Sequence, residues 1–261
     1  MSSVTESRTT SLAKLNRVFW DANADTFFEQ DWLKAYVEQL TRFLRIQAPN
    51  LGLRPRDSSD PVRLLDYACA YGGASWALAP FVDEILGIDV APAIVARFND
   101  CATRLGYDSS QAHAIAGDLY TDASLASPGT FDVVIISMAL HHLDDPPAML
   151  NLLAQRLKPG GVLIAVEGID HNEPSAKEVK AVGESQPEDA EVFEHEVLKT
   201  TNRHVVFSED VFKRWFEDSG CDGEKYVYII NDEVCHIPEN IAGRPGGLNK
   251  KLVIAASVKE S

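Results

Sequence analysis

The chain has 261 residues, of which 45% are hydrophobic and 24% charged, and its formal net charge at pH 7 is -15. This length and composition predict one large globular domain and exclude a collagen-like or disordered chain. The excess of acidic residues argues against a nucleic-acid partner and against an anionic membrane surface. Both are bound through clustered lysine and arginine side chains, and no such cluster is present.

Cysteine usage and the N-terminus bear on the compartment. The four cysteines are scattered, with no Cys-x-x-Cys pair and no histidine at metal-ligand spacing, so they predict reduced thiols and no metal site. The first residues are rich in serine and threonine and lack an apolar signal core, and no apolar run approaches about 18 residues. We therefore expect a cytoplasmic protein. No pattern in the sequence predicts an oligomeric state.

The N-terminal quarter is predicted to be helical. Apolar side chains recur at helical spacing between residues 11 and 44, which predicts two or three helices, and Trp20 lies on one of these apolar faces. Residues 48–61 contain proline, glycine, aspartate and serine, as is typical of a linker. We expect residues 1–61 to form a helical segment with its linker, and residues 62–261 to form the main domain.

Short apolar runs and helical patterns alternate from residue 62 onwards. Predicted strands cover residues 62–66, 84–89, 112–116, 131–137 and 162–167, with predicted helices at 74–81, 93–105 and 146–157. Such alternation predicts a parallel sheet with helices on both faces. Two later extended segments, 225–230 and 251–258, predict an antiparallel hairpin at one edge. The predicted fold class is therefore α/β, with a mostly parallel sheet of seven strands.

Four carboxylates fall at or near the ends of predicted strands: Asp66, Asp89, Asp118 and Glu167. Ligands of an open parallel sheet bind at the carboxyl ends of its strands. Asp89 follows Asp66 at roughly the 20-residue distance that separates a glycine-rich loop from a ribose-binding acid. Asp118 is placed to accept the amino group of an adenine, and Asp66 to receive a cationic amino-acid group. Each acid alone is equally compatible with capping a turn, but together they predict a pocket for an adenosine that carries an amino-acid tail.

Two longer motifs carry a family resemblance. Residues 131–146 read Phe-Asp-Val-Val-Ile-Ile-Ser-Met-Ala-Leu-His-His-Leu-Asp-Asp-Pro, and residues 157–163 read Leu-Lys-Pro-Gly-Gly-Val-Leu. Together with the loop after the first strand, they resemble class I S-adenosylmethionine-dependent methyltransferases of the small-molecule type, similar to the ubiquinone and sterol methyltransferase-like branch. The resemblance covers about residues 62–167. It implies a Rossmann-like fold, an N-terminal helical lid and a substrate-covering insertion at about residues 169–207.

The resemblance also implies a cofactor and the residues that hold it. S-adenosylmethionine is the expected cofactor, S-adenosylhomocysteine the product, and a small organic molecule the methyl acceptor. The implied cofactor-binding residues lie at the ends of the first four strands: Asp66, Ala68, Ala70 and Gly72 for the methionine part, Asp89 and Val90 for the ribose and adenine face, Asp118 and Leu119 for the adenine edge, and Ser137 and Met138 for the sulfonium side.

One departure from the family pattern concerns the loop after the first strand. The family expects Asp-x-Gly-x-Gly-x-Gly, whereas this chain has Ala68 and Ala70 in place of the first two glycines. The two added methyl groups restrict positive φ angles and crowd the closest approach of the backbone to a ligand. Alanine is the smallest replacement, so we expect the cofactor still to bind, with its methionine tail slightly displaced.

The acceptor side of the site has fewer signals. His141 and His142 follow the fourth strand and are candidates for a general base, with His142 preferred; the alternative is that the pair only holds its loop. Further candidates for contact with the acceptor lie on the N-terminal helices, at the end of the fifth strand and in the insertion: Trp20, Glu167, His171 and His204. A packing or surface role is open for each of them.

Other functions were weighed against this one. A nicotinamide-dependent oxidoreductase predicts Gly-x-Gly-x-x-Gly with no acid before it, whereas this chain has Asp66 and only Gly72 and Gly73. The resemblance disfavours amide or base nitrogens as targets, since enzymes of that kind carry Asn/Asp-Pro-Pro-Tyr/Phe after the fourth strand. The attacked atom stays open. The main alternative is a cofactor-binding fold repurposed for non-methyl chemistry, or for a regulatory or interaction role.

Overall fold

The computed structural model describes residues 11–54, 60–171, 196–202 and 205–260. The strands in these residues are β1 (Arg63–Tyr67), β2 (Glu84–Asp89), β3 (Ala112–Ala116), β4 (Phe131–Ser137), β5 (Leu157–Asp170), β6 (Val227–Ile237) and β7 (Leu248–Val258). They form a seven-stranded sheet in the order β3-β2-β1-β4-β5-β7-β6. Strands β1 to β5 are parallel, and β7 runs antiparallel to β5 and β6. This topology confirms the predicted fold class.

Helices cover both faces of the sheet. They are α1 (Leu12–Asn23), α2 (Asp31–Gln47), α3 (Gly73–Leu78), α4 (Pro92–Arg104), α5 (Pro146–Ala154), α6 (Glu209–Asp218) and α7 (Glu239–Ala242). One buried apolar cluster joins α2, α3 and α4 to the sheet, and a second joins α5 and α6 to its other face. Since α2 shares the first cluster, the N-terminal helices are part of the core.

Strand β4 shows why a buried parallel strand has no alternating pattern. Val134, Ile135 and Ile136 are consecutive and fully buried. Val134 and Ile136 belong to the cluster under α5 and α6, whereas Ile135 points into the opposite cluster. Because both faces are covered, the central positions 133–136 are all apolar and form a continuous hydrophobic run.

Local signals set where several helices begin. The Asp145 side chain accepts a hydrogen bond from the backbone N–H of Ala148, and Pro146 occupies the first turn of α5. At α6 the side chain of Ser208 accepts one from the N–H of Val211. Such caps satisfy backbone donors that have no partner inside the helix.

The C-terminal strands are longer than the sequence predicts. Strand β6 continues to Ile237, seven residues past the predicted end at 230, and its register against β7 shifts between Ile230 and Val234. The segment 231–233 is polar and is not typical of a strand, yet an edge strand with one solvated side tolerates polar residues and a bulge. Strand β5 likewise begins at Leu157 and ends at Asp170.

Helix α1 is tied to the rest of the molecule by one buried side chain. The Asn16 amide donates to the carbonyl oxygens of Leu12, His142 and Thr200, at 2.9, 3.1 and 3.0 Å. It thereby joins α1 to the loop after β4 and to the short 3₁₀ helix Glu196–Thr200. The remainder of the predicted insertion, residues 172–195 and 203–204, lies outside the described residues. In the described part of the chain, no helix has the length and apolar character needed to cross a membrane.

Candidate cofactor and acceptor site

A cavity of about 1310 Å³ lies at the carboxyl ends of β1, β2, β4 and β5, beneath α1 and α2. The cavity lies at the end of β1, which pairs with β2 on one side and with β4 on the other. The strand order reverses direction at this point, and such a switch point is the usual ligand position in an open α/β sheet. Most of the sequence-predicted site residues line it: Trp20, Asp66, Ala68, Ala70, Asp89, Val90, Asp118, Ser137, Met138, His141, His142 and Glu167.

Four predicted site residues are not among the residues lining this cavity. Gly72 shapes the loop from behind: its φ is 95°, and a Cβ there would lie 2.4 Å from the Trp76 ring. Leu119 is fully buried in the core under α5 and α6. His171 is exposed in the turn after β5, where its backbone N–H donates to Asn249. His204 lies outside the described residues.

Asp66 ends the first strand with a carboxylate that is only partly satisfied. The residue is 1% exposed, and its Oδ2 accepts a 2.6 Å hydrogen bond from the Ser75 hydroxyl. Its Oδ1 is buried with no hydrogen-bond partner in the described structure. Burial raises the pKa of Asp66 to about 7, against the lowering effect of the Ser75 hydrogen bonds. A buried carboxylate oxygen of this kind is a free acceptor at the cavity wall.

Asp89 is the matching carboxylate on the neighbouring strand. Its Oδ1 accepts from the backbone N–H of Ala91 at 3.1 Å and its Oδ2 from that of Ala70 at 3.2 Å. Burial raises its pKa to about 6, and these two backbone hydrogen bonds oppose the rise. The bond to Ala70 also means that Asp89 holds the loop that follows Asp66. The two acids and the loop are therefore one connected unit.

Three residues around the cavity have an unusual backbone. Ala68, Ala70 and Met138 have φ angles of 57°, 48° and 55°, and among the described residues they are the non-glycine positions with positive φ. An L-residue pays roughly 1–2 kcal/mol for this conformation. The two alanines therefore keep the backbone path that glycine would take, at a cost in strain. Strain concentrated around one cavity is typical of a ligand site.

His141 and Glu167 form a pair within hydrogen-bond distance. The Nδ1 atom of His141 lies 2.8 Å from Oε2 of Glu167, which is 1% exposed. Oε1 of Glu167 accepts from the backbone N–H of Leu140 at 2.7 Å. Since an ionised carboxylate only accepts, Nδ1 of His141 carries the proton and Nε2 is left as the basic nitrogen. The arrangement can take up a proton at the cavity.

His142 has a different environment. Its Nδ1 lies 2.9 Å from the carbonyl oxygen of Thr200, so this nitrogen donates and the ring is tied to the 3₁₀ helix Glu196–Thr200. Its ring also meets the edge of Trp20, at 6.0 Å between centroids. Burial, with a further contribution from His141, lowers the pKa of His142 to about 3. A histidine so reluctant to be protonated is a weak base.

Residues that sequence reasoning did not single out also line the cavity. Tyr36 of α2 and Lys250 of β7 are the most relevant. Their pattern is that of helix-packing positions or an ordinary strand lysine, so no local signal distinguished them. Only the topology, which brings α2 and β7 beside the end of β5, shows that they share this cavity.

Comparisons with known proteins agree with this architecture. A family model described as "Methyltransferase domain" matches residues 32–226. A ubiquinone biosynthesis O-methyltransferase of Xanthomonas campestris is 33% identical over 103 residues, which are 39% of this chain and 41% of that protein. The chain thus spans under half the length of this curated relative.

Two solved structures share the fold. The [4+2]-cyclase SpnF has a TM-score of 0.58 and 16% identity, over 95% of this chain and 97% of that one. Phosphoethanolamine N-methyltransferase 2 of Haemonchus contortus, in complex with S-adenosylhomocysteine, has a TM-score of 0.58 and 14% identity, over 97% of this chain and 61% of that one. Identities this low speak for the fold alone.

The fold and the cavity define a Rossmann-like α/β protein with a large cavity at the switch point of its sheet, where ligands of such folds usually bind. Within that class the match over residues 32–226 is decisive, because it covers most of the chain. The chain belongs to the methyltransferase domain family. This confirms the family resemblance read from the motifs at residues 131–146 and 157–163.

Replacing Ala68 or Ala70 by glycine should stabilise the ligand-free protein. Glycine relieves the roughly 1–2 kcal/mol of strain at positive φ and gives back about 0.4–1 kcal/mol through the freer unfolded chain. We expect each variant to raise the Tm by roughly 1–4 °C in thermal denaturation. Ala77→Gly, in the interior of α3, is the matched control and should lower the Tm. Unchanged or lowered Tm values in both loop variants would contradict the strained conformation.

Replacing Asp66 by asparagine should change how stability depends on pH. The pKa of Asp66 is about 7 in the folded protein against an ordinary value of 3.8, so the folded state binds the extra proton between these values. This tighter proton binding adds to the free energy of unfolding. Its contribution is fully present below about pH 4 and is lost as the pH rises through 7. Wild type should therefore lose up to about 1.4 kcal/mol per pH unit relative to Asp66→Asn between pH 5 and 7. Urea denaturation at several pH values measures the free energy of unfolding of both proteins. Parallel plots of this free energy against pH would contradict the raised pKa. Asp122→Asn, on an exposed turn, is the control.

Proposed function

We propose that the protein is an S-adenosylmethionine-dependent methyltransferase that acts on a small organic molecule, such as a specialised metabolite or a quinone-like precursor. The observation that carries this proposal is the pair of buried carboxylates, Asp66 and Asp89, on neighbouring strands around one strained loop. Both acids line a cavity that also contains the His141–Glu167 pair. Cofactor acids and a proton acceptor in a single cavity are what methyl transfer to a weak acid requires.

The described residues fit the cofactor that the family implies. The unpartnered Oδ1 of Asp66 is suited to accept a hydrogen bond from the ammonium of the methionine part. Asp89 holds ribose hydroxyls in this proposal, with Val90 beside the adenine. Asp118, whose Oδ1 is fixed by the Tyr67 hydroxyl at 2.9 Å, accepts from the adenine amino group. A solved structure with the same fold contains S-adenosylhomocysteine, which supports the assignment.

Ser137 and Met138 lie where the sulfonium side would be. The Ser137 hydroxyl is buried with no partner in the described structure, and Met138 holds a positive φ at the end of β4. When bound, the cofactor supplies an electrophilic methyl group on a cationic sulfur. The protein's own task is to align the acceptor in line with that methyl group, at about 3–3.5 Å, and to exclude water.

His141 is the general base in this proposal. Its Nε2 takes the proton from the acceptor while Glu167, bound to Nδ1, fixes the tautomer and stabilises the charge that forms on the ring. His142 then acts as part of the wall beside Trp20 of α1, and Asn16 joins the His142 carbonyl oxygen to that helix. The aromatic lining around Trp20, Phe28 and Trp32 suits an apolar, planar acceptor. The relatedness to ubiquinone O-methyltransferases supports an acceptor of this kind.

A second candidate is a cofactor-binding fold that performs non-methyl chemistry or a regulatory or interaction role. The observation that favours it is the loop, in which alanine replaces glycine at two positive-φ positions and crowds the methionine tail. A [4+2]-cyclase is one of the solved structures with this fold. The two candidates differ in turnover: both bind the cofactor, but only the first consumes it.

Calorimetric titration tests the cofactor. We expect S-adenosylmethionine and S-adenosylhomocysteine to bind and NAD(P) not to bind. Asp89→Ala should abolish cofactor binding, because a ribose would leave buried hydroxyls unpaired. Asp122→Ala, outside the cavity, is the control and should bind as wild type does. Binding of NAD(P) without S-adenosylmethionine would overturn the assignment, and unchanged affinity in Asp89→Ala would show that the ribose lies elsewhere.

Transfer of a labelled methyl group, assayed over a metabolite extract, tests the reaction. We expect a labelled small-molecule product, and a loss of roughly 10²–10⁴-fold in kcat for His141→Gln and Glu167→Gln, with cofactor affinity retained. The rising limb of the pH–rate profile should disappear in His141→Gln and persist in His142→Gln. Cofactor binding without product from any extract would favour the second candidate. Loss of the limb in His142→Gln instead would reverse the assignment of the base.

A further inference from the structure

Tyr36 presents a buried hydroxyl group with no strong acceptor among the described residues. The residue lies on α2, is 4% exposed and lines the same cavity as His141. Within this part of the chain its O–H donates only to the sulfur of Met138, at 3.5 Å. A thioether is a weak acceptor. A buried phenol normally has a better partner, so this donor is free for an oxygen of a bound ligand.

Gly168 lies against this hydroxyl and has no side chain to cover it. A Cβ on Gly168 would lie 2.7 Å from the Tyr36 hydroxyl oxygen, 3.0 Å from Cδ of Lys250 and 3.6 Å from Cε of Met138. A side chain here would therefore press on the phenol and the lysine stem. Glycine keeps β5 from covering the Tyr36 hydroxyl, and both residues line the cavity.

The donor and the proposed base stand on the same wall. Gly168 follows Glu167 in β5, and Glu167 holds the ring of His141 at 2.8 Å. Burial raises the pKa of the Tyr36 phenol, and the negative charge of Glu167 raises it further, so the group stays a donor across the physiological range. A proton acceptor and a permanent proton donor therefore line one cavity.

A positive charge also lies near this hydroxyl and offsets the negative charge of Glu167. Lys250 lines the cavity, and its Nζ lies 3.4 Å from the carbonyl oxygen of Gly168 and 3.8 Å from the Asp170 carboxylate. Arg244 also lies 3.8 Å from Asp170, so two cations share that carboxylate. The lysine is held only loosely and is 29% exposed. Its charge adds to the Tyr36 donor on the same side.

We propose that Tyr36 is a catalytic residue that donates a hydrogen bond to the acceptor oxygen on which negative charge collects, and that the acceptor is an enolisable carbonyl compound or a phenol. This inference rests on the proposed function and names the substrate class of the same site. It assigns to α2 a chemical role beyond packing. An acceptor such as an aliphatic amine, which has no such oxygen, would leave the donor unused.

The reaction step balances in atoms and charge. The O–H or C–H bond of the acceptor breaks, its proton goes to Nε2 of His141, and the electron pair spreads onto the oxygen that Tyr36 holds. The attacking atom then uses this pair to form the bond to the methyl carbon. The bond between that carbon and sulfur breaks, and its electrons stay on sulfur, which becomes neutral. No oxidant or further reactant is needed.

The test uses 4-nitrophenol as the probe, with nitrobenzene as the matched probe that lacks the oxygen. Both are titrated into the full chain saturated with S-adenosylhomocysteine, and the visible absorption of bound 4-nitrophenol reports its ionised fraction. Tyr36→Phe should weaken 4-nitrophenol binding by roughly 10–100-fold and lower the ionised fraction, because one hydrogen bond to a charged acceptor is lost. Nitrobenzene affinity should change less than twofold.

Tyr228→Phe is the matched control. Tyr228 also lines the cavity, but its hydroxyl already donates to the carbonyl oxygen of Phe207 at 2.8 Å. This variant should leave the preference for 4-nitrophenol over nitrobenzene unchanged. The inference is overturned if Tyr36→Phe binds 4-nitrophenol as wild type does, if both probes weaken equally, or if wild type binds no 4-nitrophenol. Titration of S-adenosylhomocysteine separates these results from failure of the proposed function. If S-adenosylhomocysteine binds, the proposed function stands whatever the result for Tyr36. If it does not bind, the proposed function and the role of Tyr36 are both overturned.

Discussion

The desolvation of carboxylates at the ends of parallel strands is the constraint on which this structure depends. Asp66, Asp89 and Glu167 are each less than one-tenth exposed, and all three line one cavity. A buried charge costs several kcal/mol unless it is paired and hydrogen-bonded. Glu167 has three N–H groups within reach and Asp89 two, whereas Asp66 has one hydroxyl and an orphan oxygen. The least satisfied acid marks where a cation would be most stabilising.

The strained loop and the acids support each other. The N–H of Ala70 reaches Asp89 only because the backbone turns through positive φ, and the carboxylate in return stabilises that turn. Alanine tolerates this geometry at a modest cost, and the same path with a β-branched residue would be far less favourable. The pocket therefore keeps its shape without the glycines that the family pattern expects.

Much of the fold follows from the sequence, but less of the site does. The continuous apolar run of β4 and the motif after it predict a buried parallel strand with a ligand loop, and the structure has both. The sequence named His141 and Glu167 separately but did not predict that they form a pair, because the contact joins the loop after β4 to the neighbouring strand β5. The sequence did not distinguish Tyr36 either, because its position in an amphipathic helix is that of an ordinary core residue. Helical periodicity shows which face of α2 is buried, but it gives no information on the partners of polar atoms on that face. Only the tertiary structure shows that the Tyr36 hydroxyl has no strong acceptor among the described residues.

The bonding of Asn16 couples separate parts of the structure. One amide on α1 donates to carbonyl oxygens of the loop bearing His142 and of the segment ending at Thr200. Moving either one away from α1 breaks a hydrogen bond and leaves its carbonyl oxygen without that donor, which costs roughly 1–3 kcal/mol where the group is buried. The positions of α1, of the loop after β4 and of the 3₁₀ helix are therefore energetically linked, although they are far apart in the sequence.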